Sequence, residues 1–364
     1  MKKNRILYYV NRILSILLCA ALSAHAVGCA SQNHTPVSMN DIFFDTVITV
    51  TLYDYPGSSA DILDKCKEKC DQFESLFSPT IEGSDIWNIN HAGSFPVQVN
   101  PDTAKMLMKA IDYGNMSGGL IDITIGALTD IWDIREQSAI DDPVIPSPEV
   151  INEALSHVDY TSVIISPAPG ANSPVTDSQS DNSDIPGSAA PSSYEITLTD
   201  PDARIEPGCI AKGYIADELK SLLINEGVSS AIINLGGNIL VIGSKPDGTP
   251  FNIGIQYPFK DRGESIETVS ISDTSVVSSG TYERYFTLND QVYHHILDPR
   301  TGYPSDSGVI SASVRCASSV DADALSTLCL ILGEQEGLSL IESIPDTEVL
   351  FVTEGYELVG SSGW

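Results

Sequence analysis

Apolar positions along this chain follow two periods. Alternation with a period of two runs through Phe43 to Tyr53 (F-F-D-T-V-I-T-V-T-L-Y) and predicts a strand. Helical spacing follows over Asp61 to Phe77, in a shorter stretch ending at Asn90, and over Asp102 to Met116, where Ser117-Gly118-Gly119 breaks it. Further on, Ile210 to Asn225 and Ala322 to Leu332 read as helices. Ala231 to Leu235, Ile239 to Ile242, Phe251 to Gln256, Ser265 to Ser272, Tyr285 to Leu288, Val309 to Arg315, Val349 to Thr353 and Glu357 to Val359 read as strands. Gly236-Gly237 interrupts the first two of these strands and is read as a β-bulge with a structural role. Strands and helices mix without regular βαβ alternation, which predicts an α+β fold with a largely antiparallel sheet.

Two segments fall outside this pattern. Residues 166–193 hold one Val, one Ile and no aromatic, so they cannot bury enough apolar area to offset the entropy of ordering them. They are read as a disordered insertion hanging from a hairpin of Ser162 to Ile165 and Tyr194 to Leu198. At the N-terminus, Lys2, Lys3, Arg5 and Arg12 precede an apolar run, Ile13 to Leu22, too short to span a bilayer. Ala26-Val27-Gly28-Cys29 follows and resembles a lipobox, with Ala26 where Leu is usual. The expected organisation is a lipoprotein signal over 1–28, a polar tether over 29–42 and one domain over 43–364. Cys29 would carry the lipid, and the protein would be exported and anchored on the outer face of the cytoplasmic membrane.

Charge narrows the partners. The formal net charge is −30, and loss of the signal removes four basic residues and no acids, giving −34. Such a chain repels nucleic acid and anionic headgroups at long range. Any phosphate ligand must therefore be held locally, by a metal, a lysine or backbone amides. The five cysteines beyond Cys29 have no zinc spacing and read as buried small side chains.

The richest stretch chemically is His295 to Thr327. It opens H-I-L-D-P-R-T-G-Y-P and closes D-A-D-A-L-S-T. Asp323 and Thr327 are four apart on a helix and so share a face. A carboxylate beside a hydroxyl is a hard oxygen pair of the kind Mg²⁺ takes, and Asp and Thr are equally common as helix caps. His295 is a base by its ordinary pKa near neutrality, or else a packing imidazole. Asp298 could orient it or act in its place, and Arg300 and Thr301 would hold the turn or phosphates. His294, its neighbour on a strand, should point the other way.

Seven motifs in order carry a resemblance. They are F-D-T-V-I-T-V at Phe44, L-F-S-P-T-I-E-G-S-D-I-W-N-I-N at Leu76, S-G-G-L-I-D-I-T-I-G-A-L at Ser117, I-A-K-G-Y-I-A-D at Ile210, N-L-G-G-N-I-L-V-I-G at Asn234, S-G-T-Y-E-R-Y-F at Ser279, and the stretch His295 to Thr327. Together they resemble the ApbE family of FAD:protein FMN transferases. The resemblance implies an α+β domain with its active site in a cleft between subregions. It also implies FAD and Mg²⁺, and transfer of FMN to a Thr or Ser hydroxyl of an acceptor redox protein with an S/T-G-A-T type motif, releasing AMP. By motif position, Asp323, Thr327 and the backbone carbonyl of Cys209 would hold the metal. Phe44, Thr80, Leu120, Ile121, Asp122, Glu206, Lys212 and His295 would contact FAD. Thr80 stands where many members have a ring-packing Tyr, and Glu206-Pro207 replaces a usual Asp-Leu. An Mg²⁺-dependent FAD pyrophosphatase would use the same site, and a non-catalytic flavin-binding lipoprotein would need no metal beside the phosphates.

Overall fold

The computed structural model describes residues 35–170 and 191–364, and Pro36–Trp364 forms one unit. Its first half holds β1 (Val37–Phe43), β2 (Thr46–Asp54), α1 (Ser59–Phe77), α2 (Asp85–His91), β3 (Val97–Val99), α3 (Pro101–Ser117), α4 (Gly126–Trp132), α5 (Ile134–Gln137) and α6 (Pro148–Leu155). There follow β4 (Val163–Pro167), β5 (Tyr194–Leu198), α7 (Ala211–Asn225), β6 (Ser230–Leu235), β7 (Asn238–Ile242), β8 (Phe251–Gln256), β9 (Ser265–Ile271) and β10 (Ser275–Gly280). The chain ends with β11 (Tyr285–Leu288), β12 (Gln291–His294), β13 (Val309–Cys316), α8 (Ser319–Leu332), α9 (Glu334–Ile341), β14 (Glu348–Thr353) and β15 (Leu358–Gly360).

The main sheet is antiparallel, in the order β1-β2-β6-β7-β10-β13-β14-β15. Strand β13 is buried at every position but Arg315, because both faces of the sheet are covered there. One face carries α1, α7 and α8, with Phe73, Phe77, Ile215, Leu219, Leu325 and Leu328 in the main core. The other carries the β8–β9 hairpin, whose Phe251, Ile253, Ile255 and Ile271 pack on Val241 and Val276. A smaller cluster, centred on Trp132 with Leu128, Ile134, Ile151, Phe286 and Leu297, lies apart from both.

Three expectations are corrected. The predicted tether over 29–42 is in part strand β1, paired with β2 from Val37↔Leu52 to Phe43↔Thr46. It reads as polar because β1 is the sheet's edge, with alternate side chains exposed. The domain therefore begins before residue 43. Gly236-Gly237 is a two-residue hairpin turn and not a bulge, since Leu235 pairs with Asn238 across it. Both glycines have positive φ, 63° and 94°, as a type I′ turn requires. A Cβ at Gly236 would also lie 2.2 Å from Thr46 Oγ1. The insertion is shorter than 166–193, because Ser166 and Pro167 pair with Glu195 and Tyr194, and Ala168 N donates to Ser193 O at 3.1 Å. The rest of it, like Cys29 and the signal segment, lies largely or wholly outside the described residues.

Other expectations hold with small shifts of boundary. The pairing of β4 with β5 is the expected hairpin. The cysteines among the described residues are unbridged, and Cys66, Cys70, Cys316 and Cys329 are buried as expected, whereas Cys209 is half-buried. Among those residues, no helix is long and apolar enough to cross a membrane.

Candidate active site

Two helix N-termini meet at the first wall of the site. Helix α8 is capped by Ser318, whose Oγ accepts from Asp321 N at 3.3 Å. Such a cap contributes about 1 kcal/mol. Asp217 of α7 adds a second clamp, accepting from Ser319 N and Val320 N at 3.0 Å each. The two helices approach so closely that a Cβ on Gly213 would lie 2.4 Å from Ser319 O. Asp323 is therefore no cap. It lies in the second turn of α8, 2% exposed, and faces α7.

The surroundings of Asp323 suit a cation. Its Oδ2 accepts from Gly213 N at 2.9 Å. Gly213 is the third residue of α7, so its N–H is one of the N-terminal donors that have no acceptor within their own helix, and the Asp323 carboxylate satisfies it. Oδ1 meets Lys212 Nζ at 3.5 Å, and that ammonium donates to Gly208 O at 3.0 Å. A buried carboxylate with one backbone donor and one distant ammonium is under-compensated. Thr327, one turn on, completes a set of hard oxygens on the same face. Burial and the nearby Asp323 charge push the Cys209 thiol up to about 12, so at neutral pH it is a thiol and not a thiolate ligand.

Glu206 leads into this wall. Its Oε1 accepts from Gly208 N at 3.0 Å, and its own N–H donates to Ile123 O at 2.9 Å. Asn90 holds the adjacent Ile205 with two hydrogen bonds, Nδ2 to the carbonyl at 3.0 Å and Oδ1 from the N–H at 2.7 Å. Burial raises the Glu206 carboxyl above its usual range. Ile121 and Asp122 precede Ile123 on the loop that pairs with this segment. Asp122 is buried, and its oxygens accept from Thr124 N, Thr124 Oγ1 and Tyr160 N at 2.6 to 2.9 Å. That carboxylate fastens the loop, leaving the half-buried Leu120 and the backbone to face a ligand.

The second wall is carried by the β11–β12 hairpin. His295 N and Nδ1 both lie against Arg284 O, at 3.1 and 3.3 Å. A carbonyl only accepts, so Nδ1 bears the proton and Nε2 the lone pair. Burial, then the Arg284 charge, lowers the imidazole to about 3, so it is neutral at physiological pH. His294 points away, as its strand position predicts. It is buried, donates from Nε2 to Ser305 O at 3.0 Å, and is held near 4 chiefly by burial.

Asp298 does not orient His295, contrary to expectation. Its carboxylate is engaged by Arg300 through the backbone N–H, Nε and Nη2, at 2.7 to 3.1 Å. Asp298 O accepts from Thr301 N and Gly302 N, and Trp132 Nε1 donates to Gly302 O at 2.8 Å. The D-P-R-T-G-Y turn is a brace that fixes the far end of the segment bearing His295.

The Phe44 turn closes the cleft. Phe44 and Asp45 adopt positive φ, 50° and 57°, between β1 and β2, and Phe44 N donates to Glu74 Oε1 at 2.7 Å. Asp45 pairs with Arg135, and both line an open cleft with Ser138, Glu283, Arg284 and Tyr285. Phe44 is thus one residue from Asp45, which lines the same cleft as Arg284, the residue that holds His295. The Lys212 charge is felt at His295, Glu206 and Cys209, so these groups share one electrostatic neighbourhood. Thr80 is exposed in its loop, bonded to Ser78, and no contact ties it to these groups. Arg284, Asp217 and Glu74 carry parts of the site that sequence reasoning missed. Only Arg284 and Asp217 had a signal, as unassigned members of quoted motifs.

The fold and site define an α+β protein in which a buried carboxylate pairs with a lysine whose charge reaches a neutral imidazole. The ApbE family profile matches residues 44–351, and the chain belongs to the ApbE family. It is 31% identical over 301 residues to the FAD:protein FMN transferase of Treponema pallidum, covering 80% of this chain and 77% of that protein. It is 30% identical over 292 residues to the protein of that name from Klebsiella pneumoniae, covering 80% and 82%. The crystal structure of the ApbE protein from Thermotoga maritima superposes with a TM-score of 0.76 at 26% identity, covering 90% of this chain and 98% of that one.

Proposed function

We propose that this protein is a FAD:protein FMN transferase. An acceptor Thr or Ser hydroxyl attacks the flavin-side phosphorus of FAD. A new P–O ester bond forms, the pyrophosphate P–O bond breaks, and AMP departs with its phosphate. Family membership supports this reading, as do the names of the relatives. The observation that carries it is the buried Asp323 carboxylate at the α7 N-terminus beside Lys212, whose charge also reaches an imidazole with an available lone pair.

Each group has a part in that displacement. His295 Nε2 takes the proton of the attacking hydroxyl, since neutral imidazole is its resting form. Lys212 neutralises the phosphates from the α7 N-terminus, where the helix dipole also favours negative charge. Phe44, Leu120, Ile121 and Glu206 hold the rest of FAD, Glu206 through a second carboxylate oxygen. Asp122 and Asp298 act by fixing the loops on either side, and Thr80 borders the flavin end. Asp323, Thr327 and the Cys209 carbonyl would hold Mg²⁺, which when bound offsets charge on the phosphates as a Lewis acid.

The acceptor is proposed to be an exported redox protein with an S/T-G-A-T type motif. The enzyme would meet it on the outer face of the cytoplasmic membrane, anchored through a lipid on Cys29. The test is incubation of the mature protein with FAD, Mg²⁺ and such a domain. The acceptor should gain the mass of FMN less water, with equimolar AMP. AMP without an adduct would make the protein a pyrophosphatase instead.

A further inference from the structure

A row of hydroxyls runs beneath the proposed metal site. Ser279, on β10, lies 2.8 Å from Ser326 Oγ and 3.1 Å from Thr327 Oγ1. Ser326 Oγ lies 2.9 Å from Asp323 O, and Thr327 Oγ1 lies 3.4 Å from the same carbonyl. Ser326 is fully buried, and Ser279 and Thr327 are half-buried.

Each hydroxyl has one proton, and that fixes the direction of the row. A carbonyl only accepts, so Ser326 donates to Asp323 O. With its proton engaged, Ser326 must accept from Ser279. Ser279 then has no proton left and must accept from Thr327. The alternative, in which Thr327 returns its proton to the carbonyl four residues back, uses the longest contact of the set. The short contacts therefore form one sequence, Thr327 to Ser279 to Ser326 to the Asp323 carbonyl.

We propose that Ser279 and Ser326 are positioning residues that draw the Thr327 proton away from the metal position. The lone pairs of Thr327 are then left free to accept, as a cation ligand requires. A hydroxyl proton aimed at a divalent cation would repel it, so the orientation decides whether Thr327 is a ligand at all. The row also explains two serines at positions where apolar residues would pack as well, one on a central strand and one inside a helix. This inference rests on the reading of Asp323, Thr327 and Cys209 as the metal site.

The test measures binding and does not depend on turnover. Mn²⁺ is titrated into FAD-saturated protein, and free Mn²⁺ is read by electron paramagnetic resonance. Ser279→Ala should weaken binding about tenfold, the usual scale for a residue that orients a ligand. Ser279→Thr, which keeps the hydroxyl, should restore most of it. In a Thr327→Val background Ser279→Ala should add nothing, because its effect passes through Thr327. Unchanged binding in Ser279→Ala would overturn the proposal, as would an equal loss in the Thr327→Val background. If Ser279→Ala does not fold, Ser326→Ala carries the same test, since it leaves Ser279 free to turn its proton toward Thr327. Wild-type binding in Asp323→Asn would instead remove the underlying metal site, which separates the two failures.

Discussion

Helix α8 brings Asp323 and Thr327 to the site from inside the main core, whereas His295 arrives at the end of a two-stranded hairpin resting on the small Trp132 cluster. The first wall is charged and buried. Its geometry is set by two close-packed helices, the N-terminus of α8 being capped by Ser318 and clamped to α7 by Asp217. In the second the reactive ring is itself neutral beside the Arg284 charge, and it is held by one main-chain carbonyl and a braced turn.

The largest effect should come from the first wall. Asp323→Asn keeps shape and removes charge, so flavin transfer at fixed Mg²⁺ should fall about 100-fold or more. Cys209→Ser should change it little, because only the carbonyl is used. Transfer rate against Mg²⁺ concentration reads both, and a wild-type Mg²⁺ dependence in Asp323→Asn would place the cation elsewhere.

His295→Ala should lower transfer by about 100-fold, as loss of a general base does, with FAD affinity nearly unchanged. Because burial and Arg284 hold His295 near 3, its base form persists well below neutrality. The rate in the free enzyme should therefore show no protonation limb between pH 5 and 8 from this group. A limb near 6.5 that disappears in His295→Ala would mean that the ring is far more hydrated than the structure has it.

A smaller effect concerns stability. His294 is buried and neutral, with a folded pKa near 4 against about 6.5 unfolded. Between those values the unfolded chain binds the extra proton. Stability from this group is thus complete above about 6.5 and declines as pH falls toward 4. His294→Gln should lose less melting temperature than wild type between pH 7.5 and 5. An equal loss in both proteins would rule out His294 as a source.

The smallest effect should follow replacement of residues 171–190 by a short Gly-Ser link. The β4–β5 pairing already closes the loop at Pro167 and Tyr194, and each doubling of loop length costs only about 0.6 kcal/mol. Melting temperature and transfer rate should stay close to wild type. A loss of folding would show that the segment packs.

The legible parts of this molecule were those with dense local pattern. Helices over Asp61–Phe77 and Ile210–Asn225 and the strand at Val309 announced themselves by apolar period. The Asp323/Thr327 pair did so by its i,i+4 spacing. Strand β1 was hidden because an edge strand with one wet face reads as polar tether. Strand β10 was hidden because S-V-V-S-S-G carries small polar residues facing α8. The role of Asp298 was misread for a related reason. A carboxylate three residues from a histidine and two from an arginine has two possible partners, and only the turn geometry chooses Arg300. Likewise, no spacing rule shows that the free N-terminal donor Gly213 N is met by Asp323 of another helix.

The whole excursion bearing His295, residues 281–308, leaves the sheet from β10 and returns into β13. Those two strands are direct neighbours, paired from Ser275↔Cys316 to Gly280↔Ser311. It is thus a long loop fastened at its base by that ladder and along its length by the Trp132 cluster. In hydrogen-exchange terms it should be an opening unit of its own: the amides of β11 and β12 should exchange through local release of the hairpin, and those of β10 and β13 only with unfolding of the whole domain. The segment that would meet an acceptor protein could then yield to it while the cation position beneath stays fixed.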